Sequence, residues 1–411
     1  MRKHESSQKS AGRWIVRLEL ILLLAFVCAA ASRELRGRSV RQEQRNEAAD
    51  TGLTAESGEA IEVSATGNYI KWVEFHATCE ALAAAYDLDV ATCKEKIHVN
   101  WIELLAYTGA KHGGKFDRNS VREIETVAEK LRDGETTMDQ LTKDMEYYEY
   151  YLEAYSAVLS GMVGEFSLEE DGKWKRYYGL KAFSPVAKGF DYSHYDDFGS
   201  SRSYGYSRPH LGHDMMGQIG TPIVAIESGV VEALGWNQYG GWRIGIRSFD
   251  GKRYYYYAHL RQNYPYAEGL AEGDVVTAGD VIGYMGHTGY SVKENVNNIE
   301  TVHLHWGLQL IFDESQKEGN NEIWIDCYEL TKFLYRSRSE VAKVEDSKEW
   351  RRVQEMQDPE VEKRVTIQGA LHPVAGHPVD NFTVSGIQPL AKGDLEWAGC
   401  VTVCGRLGRE L

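Results

Sequence analysis

The stretch Val302-His-Leu-His-Trp306 decides the fold of the second half of this chain. Its two histidines, His303 and His305, are two residues apart, and this spacing places both side chains on one face when the backbone is extended. The residues from Val302 to Phe312 are rich in types that favour strands. The sequence therefore predicts a strand from which two imidazoles project side by side.

An earlier stretch, Arg208-Pro-His-Leu-Gly-His-Asp214, carries a second pair of candidate ligands, His210 and Asp214. These residues are four apart, so they share a face in a helix and also in a strand. Two imidazoles and a carboxylate that converge from separate segments leave a fourth position open, and proteins hold catalytic zinc in this way. The two stretches together predict a metal site.

Residues from about Tyr177 to Phe333 resemble the M23 family of zinc metallopeptidases (lysostaphin and LytM type), which cut peptide cross-links in bacterial peptidoglycan. The resemblance rests on the order and spacing of several motifs rather than on one of them. These motifs are His210–Asp214, Gly220-Thr-Pro-Ile-Val-Ala225, Tyr257-Ala-His-Leu260, Glu272-Gly-Asp-Val-Val276, Gly279-Asp-Val-Ile-Gly283, Gly286-His-Thr-Gly289 and His303-Leu-His305.

The resemblance implies a role for five residues of this chain. His210, Asp214 and His305 are the implied ligands of one zinc ion, and His303 and His259 are the implied catalytic histidines that do not bind the metal. The implied activity is hydrolysis of amide bonds in peptidoglycan peptides. How the two catalytic histidines divide the work stays open at this point.

The chain also departs from the common pattern of that family. Ten residues, Val292–Thr301, are inserted before the His-x-His strand and are expected to form a loop near the substrate groove. Aromatic residues such as Tyr239 and Trp242 are dense in this half of the chain, and some are expected to line the groove wall. The insertion removes none of the predicted ligands.

Other functions fit the motifs less well. A catalytically silent LytM-type module that binds the wall or regulates another enzyme is the main alternative, although such proteins usually lack a ligand. A lipoyl or biotinyl carrier needs a Met-Lys pair at a hairpin tip, and a cupin site needs a Glu where Gln309 and Leu310 stand. Metal analysis with an assay on cross-linked peptidoglycan separates the peptidase from the silent module.

The bulk composition is that of a globular protein, with 43% hydrophobic and 26% charged residues. The net charge of -15 argues against a nucleic-acid partner, because such binding depends on cationic groups that neutralise phosphates. The six cysteines are scattered and do not indicate a disulfide framework.

The N-terminal part predicts export. Basic residues precede an apolar run of 12 residues, Leu20–Ala31, which is shorter than the roughly 20 that a membrane-spanning helix needs. Residues 1–31 fit either a cleaved signal peptide or a short retained anchor, in which residues 14–31 would tether the protein to the membrane. Both versions place the protein outside the cytoplasm. Residues 32–66 are polar and predict a disordered linker.

The remaining chain predicts an α+β multidomain protein. Residues 67–166 show helical periodicity and form a small helical bundle, in which Asn100 and Ser120, each followed three residues later by Glu, predict helix starts. Residues 173–336 change to short strand-like segments and form a mainly antiparallel sheet. Residues 337–411 are charged, then irregular, and predict a tail without regular structure.

Overall fold

The computed structural model describes residues 70–204, 206–317, 321–371 and 396–400. The predicted signal peptide or anchor, 1–31, and the predicted linker, 32–66, lie outside the described residues. In the described ranges, no helix combines the length and the apolar character that crossing a membrane requires.

A helical part comes first and a sheet-rich part follows it, which confirms the predicted α+β order. The helices are α1 (Cys79–Thr92), α2 (Trp101–His112), α3 (Arg118–Arg132), α4 (Met138–Thr142), α5 (Tyr148–Leu159), α6 (Tyr328–Leu334) and α7 (Pro359–Leu371). A short 3₁₀ turn, Glu314–Gln316, lies between two strands of the second part.

Local sequence explains where the first helices begin. Asn100 caps α2, since its side chain accepts hydrogen bonds from the backbone N–H groups of Ile102 and Glu103, as predicted. The predicted start at Ser120 is wrong, because α3 begins two residues earlier, after Asp117. Asp117 accepts from the N–H of Ser120, and the Ser120 hydroxyl accepts in return from the N–H of Asp117, so Ser120 completes the cap from inside the helix.

Most of the strands lie in the second half of the chain. They are β1 (Val163–Glu170), β2 (Lys173–Leu180), β3 (Ser193–His194), β4 (Ser201–Tyr204), β5 (Tyr206–Pro209), β6 (His213–Met216), β7 (Pro222–Val224), β8 (Gly229–Asn237), β9 (Gly241–Ser248), β10 (Arg253–Ala258), β11 (Val275–Val276), β12 (Val281–Tyr284), β13 (His303–Leu310), β14 (Ile323–Ile325), β15 (Val341–Lys343), β16 (Trp350–Arg352), β17 (Met356–Gln357) and β18 (Glu396–Cys400).

The central sheet positions the predicted site residues. Its strand order is β11-β8-β9-β10-β13-β6-β3, with β14 added along part of β13, and every one of these pairs is antiparallel. A second sheet has the order β17-β1-β2-β18, in which β18 runs parallel to β2. Strand β13, which carries the His-x-His motif, therefore has neighbours on both sides and is held in a defined register.

The helical part and the central sheet share one hydrophobic core. Phe333 of α6 packs edge-on against Tyr86 of α1, with ring centroids 5.7 Å apart, and stacks on Trp101 of α2 at 5.9 Å. Aromatic pairs in these geometries add to the stabilisation that burial alone provides. Large buried rings thus join α1 and α2 to α6, the helix that follows the last strand of the central sheet.

The segment after Ser337 is more regular than the sequence indicates. Strands β15 and β16 pair with each other, and β17 adds to the edge of β1. The buried Asp358 accepts from Lys181 at 2.7 Å and from the Ser228 hydroxyl at 2.8 Å. A disulfide bond joins Cys93, directly after α1, to Cys400 in β18. These links join elements far apart in the chain, so local patterns do not reveal them.

A buried ion pair ties the helical part to strand β10. Arg253 is 1% exposed and donates two hydrogen bonds to the Glu227 carboxylate, at 2.7 Å and 3.0 Å. Arg253 also donates to the carbonyl oxygen of Ala157 in α5 at 3.0 Å. The hydroxyl of Tyr255 donates to the same carboxylate at 2.6 Å. The buried charges of Arg253 and Glu227 therefore neutralise each other.

We expect Arg253→Met to lower the free energy of unfolding by about 3–5 kcal/mol, because it leaves the Glu227 carboxylate buried without its counter-charge. Urea denaturation of the two proteins side by side measures the difference. Arg132→Met is the control, since Arg132 pairs with Glu95 at the surface and the change there should be much smaller. Equal losses in the two variants would contradict the role of the buried pair.

Candidate metal centre

Strand pairing brings two of the predicted ligands together. In the register of β13 with β6, His305 lies directly opposite Asp214. Opposed residues of antiparallel strands have Cβ atoms about 4.5–5.5 Å apart, so an imidazole and a carboxylate become neighbours although 91 positions separate them. On its other side, His305 lies opposite Ala258 of β10, whose small side chain leaves the face open.

His210 reaches the same place from the hairpin formed by β4 and β5. Its N–H donates to the carbonyl oxygen of Ser200 at 2.8 Å, and its own carbonyl accepts from Gly199 at 2.7 Å. Its Nδ1 lies 3.3 Å from the carbonyl oxygen of Asp197. When Nδ1 donates its proton to that carbonyl, Nε2 keeps a lone pair and faces His305 and Asp214.

Three potential ligand atoms form a nearly equilateral triangle. His210 Nε2 is 3.0 Å from Asp214 Oδ1 and 3.0 Å from His305 Nδ1, and the last two atoms are 2.9 Å apart. Ligand atoms around tetrahedral zinc, with bonds of about 2.0–2.1 Å, lie about 3.3 Å from each other. The triangle therefore has the donor types and nearly the spacing of three ligands of one zinc ion, and the described residues offer a metal-binding group here.

Arg202 orients the carboxylate of this triangle. Its Nη2 donates to Asp214 Oδ2 at 3.1 Å, and it also forms an ion pair with Asp197. Asp214 therefore uses one oxygen to hold the guanidinium and turns the other to the two imidazoles. Burial raises the pKa of Asp214, but the hydrogen bonds with His210 and His305 outweigh burial and hold this pKa below its usual range.

The two predicted catalytic histidines lie beside the triangle. His303 Nε2 is 3.7 Å from Asp214 Oδ1, while its Nδ1 lies 2.8 Å from the carbonyl oxygen of Thr301. The His259 ring is 4.7 Å from that of His303, between centroids, and its Nδ1 lies 2.9 Å from the carbonyl oxygen of Thr288. Both Nδ1 atoms thus have a backbone acceptor, which leaves each Nε2 able to accept a proton.

His259 is held in an uncommon backbone conformation. It has φ = 61°, a left-handed value that costs roughly 1–3 kcal/mol for a residue other than glycine. Its N–H donates to the carbonyl oxygen of Gly240 at 2.7 Å, which helps to hold this conformation. Burial and the neighbouring His303 and His305 lower the pKa of His259 well below its usual value, so this imidazole is neutral at pH 7.

Several groups around the site are not evident from sequence patterns. Asp197, in the loop before β4, and Arg202, in β4, contact the predicted ligands but belong to no recognisable motif. The carbonyl acceptors of Thr288 and Thr301 depend on loop geometry. Gly212, in contrast, is a motif glycine whose place in the sequence does carry a signal. A Cβ there would lie 2.5 Å from the His305 ring, so this position excludes a side chain.

The remaining histidines near the site have other partners. His213 lies on the opposite face of β6 from Asp214, is 1% exposed, and its Nε2 is 2.8 Å from His194 Nδ1. Burial, with a smaller effect of His194, lowers the pKa of His213 to about 3. His287 lies in a loop, where its Nδ1 is 2.7 Å from the carbonyl oxygen of Ile299.

Residues 208–320, which include the triangle and both further histidines, match the model of peptidase family M23. The chain therefore contains a domain of this peptidase family.

Curated relatives are similar to part of this chain. Over 118 residues the chain is 40% identical to an L-Ala–D-Glu endopeptidase of Bacillus subtilis (strain 168), which covers 29% of this chain and 35% of the relative. Over 89 residues it is 39% identical to lysostaphin of Staphylococcus staphylolyticus, with coverages of 21% and 18%. The match thus spans about a third or less of these relatives.

Solved structures that are similar to this chain include a LytM from Ruminococcus gnavus ATCC 29149, which is described as a glycyl-glycine endopeptidase. It is 24% identical to this chain, with a TM-score of 0.42 over 64% of this chain and 89% of that one. The catalytic domain of lysostaphin from Staphylococcus simulans is 31% identical, with a TM-score of 0.27 over 34% of this chain and 92% of that one.

Proposed function

We propose that this protein is a zinc-dependent endopeptidase that hydrolyses amide bonds in the peptides of peptidoglycan. The observation that carries the proposal is the triangle of His210 Nε2, Asp214 Oδ1 and His305 Nδ1 with two further histidines beside it. The names of two curated relatives, an L-Ala–D-Glu endopeptidase and a glycyl-glycine endopeptidase, support a peptidase and specify different bonds.

Donor chemistry favours zinc as the metal. Two imidazole nitrogens and one carboxylate oxygen are the ligand types of catalytic zinc sites, in which a fourth position stays open for water or substrate. Zinc bound there would lower the pKa of a water molecule to about 7 and polarise the scissile carbonyl group. His210, Asp214 and His305 would hold it, and Arg202 would keep the Asp214 carboxylate turned towards it.

We infer that His303 moves the proton of the attacking water. Its Nε2 lies next to a ligand oxygen, and its Nδ1 is occupied by the Thr301 carbonyl, so Nε2 can accept a proton from water. The imidazolium that results can then give this proton to the nitrogen of the leaving amine. The Thr301 carbonyl would stabilise the protonated ring through the bond from Nδ1.

His259 suits a different task. It is buried and neutral, and with Nδ1 bonded to the Thr288 carbonyl its Nε2 is an acceptor rather than a donor. A neutral acceptor can hold one hydrogen of the attacking water and so orient its lone pair. We therefore assign the proton transfer to His303 and the orientation of water to His259.

Peptidoglycan lies outside the cytoplasm, so the proposed substrate requires export. The basic residues and the apolar run within residues 1–31 support such export, either as a cleaved signal peptide or as a membrane tether through residues 14–31. The net charge of -15 gives no general attraction to anionic wall polymers, so substrate contacts must be local.

Digestion of purified peptidoglycan tests the proposal. The full chain is stripped with a chelator, reloaded with one equivalent of zinc, and incubated with sacculi of several cross-link chemistries, and mass spectrometry identifies the new peptide termini. We expect cleavage with zinc and none in the stripped protein. A zinc-loaded protein that binds sacculi but releases no new termini would instead support the catalytically silent module.

A further inference from the structure

Arg208 is held between two tyrosine rings at the edge of the metal centre. Its guanidinium carbon lies 4.5 Å from the centroid of the Tyr239 ring and 5.2 Å from that of Tyr290. Arginine packs well against aromatic faces because its charge is spread over a planar group. Such packing fixes the plane of the guanidinium and therefore the directions in which its N–H groups point.

The inserted loop that follows Tyr290 helps to hold the two rings together. The N–H of Tyr290 donates to the carbonyl oxygen of Tyr239 at 3.4 Å, and the N–H of Ser291 donates to that of Gln238 at 2.9 Å. Asn298, within the insertion, donates its side-chain amide to the carbonyl oxygen of Tyr290 at 2.6 Å. The two rings are therefore positioned by backbone bonds and not by ring packing alone.

Tyr290 also connects Arg208 to the catalytic residues. Its ring lies edge-on to the His259 ring, with centroids 6.0 Å apart. Arg208 precedes the candidate ligand His210 by two residues, at the end of β5. The guanidinium therefore lies at the rim of the site, within reach of a substrate residue that flanks the scissile bond.

Arg208 and its neighbour across the hairpin, Arg202, have different hydrogen-bond and ion-pair partners. Arg202, opposite it in the β4–β5 pairing, forms ion pairs with Asp197 and Asp214. Arg208 Nη1 is shielded from solvent and has no hydrogen-bond partner within the described part of the chain. A buried donor without a partner is unfavourable, typically by about 1–3 kcal/mol, and a ligand oxygen can remove that cost.

We propose that Arg208 binds a free carboxylate on the peptide substrate, one or two residues from the scissile bond. This inference rests on the proposed peptidase function. A fixed guanidinium presents two parallel N–H groups, which match the two oxygens of a carboxylate. The favoured substrates are therefore peptides with an acidic residue next to the cleaved bond, such as those with D-Glu, and not bridges built of glycine alone.

Two peptides that differ in one group test the assignment. Both carry the same L-Ala–D-Glu bond, but the free carboxylate of the D-Glu residue is a carboxamide in the second peptide. We expect the zinc-loaded full chain to cleave the acid with a kcat/KM at least about tenfold higher than the amide. In Arg208→Met that ratio should fall to near one, and in Arg208→Lys, which keeps the charge but loses the planar fork, it should lie between these values.

Arg336→Met is the matched control for loss of a stacked arginine. The Arg336 guanidinium packs on Tyr86 and Phe333, at 5.3 Å and 5.0 Å, on the helical side of the molecule. In Arg336→Met, the ratio of kcat/KM for the acid to kcat/KM for the amide should equal that of the wild type. A ratio that changes as much in Arg336→Met as in Arg208→Met would overturn the assignment.

A binding measurement separates failure of this inference from failure of the peptidase function. The metal-free chain is titrated by calorimetry with both peptides, and the acid should bind at least about tenfold more tightly than the amide, with the difference lost in Arg208→Met. Cleavage of both peptides at equal rates, with equal affinities, overturns the carboxylate site and leaves the peptidase standing. Absence of cleavage with a retained affinity difference overturns the peptidase function and leaves the carboxylate site.

Discussion

Asp214→Ala is expected to abolish metal binding and peptidase activity together. Asp214 supplies the one anionic atom of the triangle and lies within 3.0 Å of both ligand nitrogens. Without it, two neutral imidazoles remain for a divalent cation. Because a catalytic metal supplies several kcal/mol to the transition state, we expect a loss of at least about 1,000-fold in kcat/KM.

Metal content and activity should be measured on the same preparation. Elemental analysis after dialysis gives the zinc bound per chain, and hydrolysis of a peptide substrate gives the rate. Asp313→Ala is the control, since Asp313 caps the short 3₁₀ turn away from the site, and it should keep both zinc and activity. A full equivalent of tightly bound zinc in Asp214→Ala would show that the metal lies elsewhere.

His303→Ala is expected to keep the metal and lose turnover. Its Nε2 lies 3.7 Å from Asp214 Oδ1, beside the triangle and not in it, so the three ligands remain. Removal of a general base typically lowers the rate by about 10²–10⁴-fold. The fall should appear in kcat, while the zinc content should equal that of the wild type.

His287→Ala provides a closely matched control. Like His303, His287 places its Nδ1 against a loop carbonyl, 2.7 Å from the oxygen of Ile299, but it lies outside the triangle and its two neighbouring histidines. Its kcat should stay close to that of the wild type. Wild-type kcat in His303→Ala, or an equal loss in both variants, would refute the assignment of His303 as the base.

The pattern across these variants distinguishes ligand from base. Asp214→Ala should lose both zinc and activity, whereas His303→Ala should lose activity alone. The two residues are close enough for their effects to be coupled, so the double variant should resemble Asp214→Ala instead of showing a multiplied loss.

Spacing in the sequence was sufficient for much of the fold around the site. Residues two apart share a face of a strand, and His303 and His305 do so in β13. Asn100 caps α2 because a side-chain acceptor next to free N–H groups acts locally. By contrast, the start of α3 was misplaced because Ser120 satisfies the same chemistry from inside the helix, after Asp117.

Contacts between residues far apart in the chain could not be predicted from the sequence, for one physical reason. The pair of Lys181 with Asp358 and the bond of Cys93 with Cys400 join residues 177 and 307 positions apart. Nothing local to either partner marks it, since burial and proximity arise from the packing of distant elements. Strands β15 to β17 depend on such contacts, so the charged composition of this segment did not predict them.

By itself the sequence determined which groups could serve the chemistry: two imidazoles on one strand face, a histidine and an aspartate four apart, and a fourth histidine, His259. Tertiary structure alone decided how these groups are arranged. The pairing of β13 with β6 sets His305 against Asp214, and the carbonyls of Thr288 and Thr301 choose which nitrogen of each further histidine is free. Register and hydrogen-bond direction are properties of the folded chain, because they depend on atoms that only packing brings within reach of each other.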